Sequence, residues 1–100
     1  NDVVIEILET CEPTDLLFDK FRELKERGYL IALDDYEPDE RWERFYPFVD
    51  YIKLDIQALS IPKCIFLIRS LKEFDIKFLA EKVETYEEYQ EANRAGFSYF

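Results

Sequence analysis

Four apolar runs in this chain end on clustered charged residues, and those ends are where chemistry could occur. Glu6 and Glu9 close the first, Asp34 and Asp35 the second, Lys53 and Asp55 the third, and Glu81 and Glu84 the fourth. Taken singly, each acid has a plain structural reading. Glu9, Asp35 and Asp55 suit local turns or caps, and Glu84 suits the dipole of a helix that follows it. Taken together, acids gathered at one end of a sheet repel one another unless cations sit between them. An oxygen-only donor set with no histidine favours magnesium, manganese or calcium. Lys53, set among the acids, could offset charge or hold a bridging water or a phosphate oxygen. Such a set suits a two-metal phosphodiester hydrolase, in which metal-activated water attacks phosphorus.

The elements that would carry these ends alternate in type. Val3 to Leu8 is rich in β-branched residues, and the first strand is expected over Asp2 to Leu8. A helix opens near Pro13-Thr14, buries Leu17, Phe21 and Leu24 at helical spacing, and stops at Gly28. Tyr29 to Leu33 is an apolar run of the kind buried on both faces of a parallel sheet. Glu37 to Phe45 allows only a short helix, begun near Pro38 and ended by Pro47, with Trp42 and Phe45 on one face.

Tyr51 to Asp55 forms the third strand, and Ser60 with Pro62 starts a helix over Ile61 to Leu71. That helix is apolar nearly all round at Cys64 to Ile68, so part of it is expected to face another subunit or domain. Ile76 to Ala80 is the fourth strand. Thr85 with Glu88 makes a capping box for a last helix that turns Tyr89 and Ala92 inward and stops at Gly96. The order β-α-β-α-β-α-β-α, with a fifth strand begun, predicts an α/β fold with a parallel sheet and right-handed crossovers.

Composition narrows the possible functions. One hundred residues hold one modest core, so residues 1–100 are expected to form a single unit. With 23 acids against 13 bases the formal net charge is −10, which argues against a nucleic acid polymer as partner. The absence of histidine and of CxxC spacing excludes zinc sites and His-based triads. Cys11 and Cys64 are expected to be buried free thiols in a reducing cytoplasm, and no membrane segment is visible. Because the chain opens in a strand and stops as another begins, it is expected to be a piece of a longer protein.

Glu6-Ile7-Leu8-Glu9, Ile31 to Tyr36, Asp50 to Asp55 and Leu79 to Thr85 resemble, in order and spacing, successive strand motifs of the EAL domain. The likeness covers almost the whole chain, and four motifs in register make it specific. It implies the central part of a TIM-type (β/α) barrel that hydrolyses cyclic di-GMP to pGpG with magnesium or manganese. On that resemblance Glu6, Asp34, Asp35 and Glu81 are metal ligands. Asp35 also orients the water, Lys53 stands beside it, and Glu81 is a general base or second-metal ligand. Glu9, Asp55 and Glu84 are supporting acids. The family's first strand, with its own metal ligand, an asparagine of the second strand and a later glutamine would lie outside residues 1–100.

Three departures stand out. Leu8 replaces the family's threonine, Lys82 replaces a glycine, and Tyr36 to Trp42 replaces the glycine-containing loop after the aspartate pair. The acidic, Trp-containing segment is most similar to the EAL halves of EAL–HDOD signalling proteins. These departures favour a silent module that senses the messenger or binds a protein partner. The alternative is an active cyclic di-GMP phosphodiesterase in the full-length protein. An incomplete barrel with open edges predicts a homodimer or a partner domain.

Overall fold

The computed structural model describes residues 3–8 and 10–100. Its elements are β1 (Val4–Ile7), α1 (Asp15–Glu26), β2 (Leu30–Leu33), a 3₁₀ helix (Glu40–Phe48), β3 (Tyr51–Asp55), α2 (Ile61–Ser70), β4 (Lys77–Glu81) and α3 (Tyr86–Ala95). The four strands are parallel and neighbour one another in chain order, as in successive units of a β/α barrel. Tyr99 begins a further parallel contact with Leu79.

Alternation along the strands assigns each side chain to a face. Ile7, Ile31, Leu33, Ile52, Leu54, Phe78 and Ala80 turn toward the helices and form the core. Phe21 of α1 fills its centre against Phe45, with ring centroids 4.9 Å apart at 80°, the edge-to-face geometry that aromatic quadrupoles favour. The opposite face carries Val4, Glu6, Ala32, Tyr51, Lys53 and Leu79, which line a shallow open depression with Tyr99. In a closed barrel this face is the lumen.

Several elements follow local sequence chemistry. Thr14 caps α1 through Leu17 N at 3.2 Å, and Thr85 and Glu88 complete the expected capping box on α3. Gly96 ends α3 at φ +112°, and a Cβ there would stand 3.2 Å from Ile68 Cγ2, so this stop also lets α3 approach α2.

Four expectations need correction. The segment after Pro38 is a 3₁₀ helix capped by Asp39, and it carries Pro47 inside its last turn instead of ending before it. Tyr89 is 40% exposed because the inward stripe of α3 runs through Ala92, and Tyr89 packs instead on Tyr86 and Phe100. Cys64 is buried, but Cys11 lies exposed in the turn after β1. β1 is shorter than expected, and the expected start at Asp2 lies outside the described residues.

Candidate functional site

Register puts the charged strand ends together. Glu6 pairs with Ala32, Ala32 with Tyr51, and Asp55 with Glu81. Counting in twos from these pairs places Glu6, Asp34, Lys53, Asp55 and Glu81 on the face away from the helices. The ladder continues past β2, since Asp34 N donates to Ile7 O at 2.9 Å.

Lys53 is the hub. Its Nζ donates to Glu6 Oε1 at 2.7 Å, reaching from β3 to β1 over β2, where the small Ala32 lets it pass. Its pKa is raised, first by this hydrogen bond and then by the charges of Glu6, Asp34 and Glu81. It therefore stays cationic and is an electrostatic group, not a base.

Glu81 is its counterpart. Burial pushes its carboxyl above the usual carboxylate range, Asp34, Asp35 and Asp55 push it further, and Lys53 pulls it partly back. A carboxyl so placed is a better proton acceptor than an ordinary glutamate. Asp34, Asp35, Asp55, Glu81 and Lys82 line one shallow pocket of about 330 Å³. Among the described residues neither Asp34 nor Asp35 forms a salt bridge.

Backbone strain marks the same place. Asp35 at φ +50° and Lys82 at φ +63° are the two non-glycine residues with positive φ among those described. Aspartate tolerates the left-handed region, whereas lysine has no side chain suited to it, which explains why a glycine fits position 82. Such strain gathers at functional sites.

Asp55 has a structural task. Its Oδ1 accepts from Gln57 N and Ala58 N at 2.8 and 3.2 Å, and its Oδ2 pairs with Lys82 Nζ at 2.9 Å. The bond to Lys82 is the main reason its carboxyl lies below the usual range. Gln57 then ties the two loops by donating to Lys82 O and Glu88 Oε2. Glu84 is exposed, and its backbone N–H donates to Glu88. Glu9 lies outside the described residues.

The donor chemistry fits a hard divalent cation: oxygen ligands, unpaired Asp34 and Asp35, and a carboxyl raised by burial and then by its neighbours' charge. The spacing does not yet cage one. Among the described residues, no three acidic or sulfur side chains converge closely enough to hold an ion.

Sequence reading missed several groups that shape the site. The Tyr36 and Tyr46 hydroxyls are hydrogen-bonded to each other, which pins the segment after the aspartate pair to the 3₁₀ helix. Arg41 bridges Asp39 and Glu12 at 2.8 and 3.1 Å, across a cleft of about 370 Å³ that Asp34 and Asp35 also line. The tyrosines are ten residues apart in an irregular segment, so no periodic pattern announces them.

Parallel β/α units with acids collected at the carboxyl ends of the strands are the architecture of part of a TIM-type barrel. No family model matches the chain. The chain is 49% identical over its whole length to the cyclic di-GMP phosphodiesterase CdgJ of Vibrio cholerae, of which it covers 24%. It is 34% identical to the uncharacterized protein YuxH of Bacillus subtilis, of which it covers 26%. The chain thus spans about a quarter of the length of these curated relatives. An EAL domain protein from Listeria monocytogenes superposes over 94% of this chain and 42% of its own, with a TM-score of 0.76 and 19% identity. The EAL enzyme Bd1971, solved with cAMP bound, superposes over 94% of this chain and 28% of its own, with a TM-score of 0.75 and 22% identity. The chain is similar in sequence to a cyclic di-GMP phosphodiesterase and has the fold of part of an EAL-type domain. Among the described residues no helix is long and apolar enough to cross a membrane.

Proposed function

We propose that this chain supplies the acidic face of a cyclic di-GMP phosphodiesterase site in a cytoplasmic bacterial signalling protein. The observation that carries the reading is the strand register, which sets Glu6, Asp34, Lys53 and Glu81 on one face of the sheet with Lys53 bonded to Glu6 at 2.7 Å. CdgJ, by its name, acts on cyclic di-GMP, and the likeness to it runs the length of the chain.

Glu6, Asp34, Asp35 and Glu81 would hold magnesium or manganese jointly with ligands outside residues 1–100. Bound there, the ions would lower the pKa of water and neutralise charge on the phosphodiester. The chain's own groups do the rest. Asp35, on its left-handed backbone, aims its carboxylate into the pocket to orient a water. Lys53 holds the water or a phosphate oxygen and keeps the cluster from mutual repulsion. Glu81, with its raised pKa, takes the proton. Asp55 keeps the β3 loop in place, and the Glu84 backbone N–H, bonded to Glu88, fixes the β4 loop.

A second reading is a module that binds the messenger without turnover. Lys82 favours it, because its ammonium already occupies Asp55 at the edge of the pocket. The segment from Tyr36 to Asp39 favours it too, since the tyrosine pair ties to the 3₁₀ helix a stretch that stands in place of the family's glycine-containing loop.

Full-length protein incubated with cyclic di-GMP and manganese separates the readings. Linear pGpG that disappears in Asp34→Asn supports the enzyme. Messenger binding without product supports the silent module, and neither binding nor product leaves a protein-interaction domain.

A further inference from the structure

On the outer side of the sheet, α1 packs on the 3₁₀ helix and α2 packs on α3. The 3₁₀ helix and α2 are not drawn together in the same way. A groove of about 850 Å³ runs between them, floored by Tyr46, Leu67, Leu71 and Phe74. Phe66 of α2 stands in its wall at 75% exposure, its ring open to solvent beside this apolar floor. Glu40 and Glu43 rim one side and Glu73 the other, against the single cation Lys63. Among the described residues none of these three glutamates is in a salt bridge.

We propose that this groove docks a basic amphipathic helix of a partner protein, with apolar side chains over Phe66 and Leu67 and lysines or arginines against Glu40, Glu43 and Glu73. An apolar floor between acidic walls is complementary to that pattern and to few others. A second copy of this chain, at net charge −10, would bring acid against acid. Anionic lipid and nucleic acid are repelled for the same reason. The groove lies on the helix side of the sheet, and at one end it shares Pro38 and Asp39 with the cleft that Asp34 and Asp35 line.

The test uses full-length protein and a dye-labelled helical peptide of leucine and lysine, with a leucine and glutamate peptide as control, read by fluorescence anisotropy. Saturable binding of the basic peptide is expected, weakened about tenfold by Phe66→Ser and by the pair Glu40→Gln and Glu43→Gln, and weakened again by salt. Phe66 and both glutamates are exposed, so circular dichroism should show these variants folded. No binding, or equal affinity in the variants, would overturn the proposal. So would a dimer that Phe66→Ser converts to monomer, because a second copy would then fill the groove.

Discussion

Lys53 Nζ lies 2.7 Å from Glu6 Oε1, joining β3 to β1 across the small Ala32 of β2. The Glu6 side chain keeps 49% of its exposure, so solvent screens the pair and its worth to the fold is about 1 kcal/mol or less. Its worth to the site is larger, because Lys53 also faces the charges of Asp34 and Glu81. Lys53→Met should therefore lower turnover about 100-fold, the loss typical of one preorganised charge at a reacting centre. The urea midpoint of the same variant should barely move. A large drop in stability with activity retained would make the pair structural.

Glu81 predicts a pH dependence of stability. Its carboxyl titrates above the ordinary range in the folded protein, so the protonated form stabilises the fold and that contribution is lost as pH rises through the raised value. Glu81→Gln should be the more stable protein at neutral pH, by about 0.5 kcal/mol or less because the group is partly solvated. Below the ordinary carboxylate range the two should converge. Thermal melts across pH check this, and a variant less stable at neutral pH would contradict it.

Lys82 sits at φ +63° and pairs with Asp55 at 2.9 Å while 66% exposed. Left-handed backbone costs a non-glycine residue about 1 kcal/mol or more, and so exposed an ion pair returns little of it. Lys82→Gly should leave stability unchanged or raise it by up to about 1 kcal/mol. It should also free Asp55 and tighten manganese binding about 2- to 5-fold, measured by calorimetry. Loss of stability would show that the ion pair outweighs the strain.

Asp50 provides the contrast at the other end of the strands. Its Oδ2 accepts from Lys25 Nζ at 2.7 Å and from Ile31 N at 2.8 Å, tying α1, β2 and the start of β3. Asp50→Ala leaves a half-buried lysine and a backbone N–H without this acceptor, at a cost of about 2 kcal/mol. Turnover per folded molecule should not change, since barrel chemistry lies at the opposite ends of the strands. Chemical denaturation with active-site titration distinguishes the two effects.

The strands and α-helices were legible because they carry their own punctuation: Thr14 and Thr85 as caps, Gly28 and Gly96 as stops, and apolar runs for the strands, broken by Glu6 in β1 and Lys53 in β3. The common face of Glu6, Asp34, Lys53 and Glu81 follows from the same period of two once the register is fixed. Contacts between irregular segments were not legible. Tyr36 with Tyr46, Arg41 with Glu12 and Asp50 with Lys25 depend on where loops fold back, and no spacing rule encodes that. The exposure of Cys11 and Tyr89 was misjudged for a related reason, since burial of a single side chain is set by neighbours remote in sequence.

The most direct measurement is the rate of pGpG formation from cyclic di-GMP by full-length protein with manganese, comparing the natural sequence with Asp34→Asn and Asp50→Ala. The account predicts product from the natural protein, none from Asp34→Asn, and an undiminished rate per folded molecule from Asp50→Ala. Product formation that survives Asp34→Asn, or a natural protein that binds the messenger and never cleaves it, would contradict it.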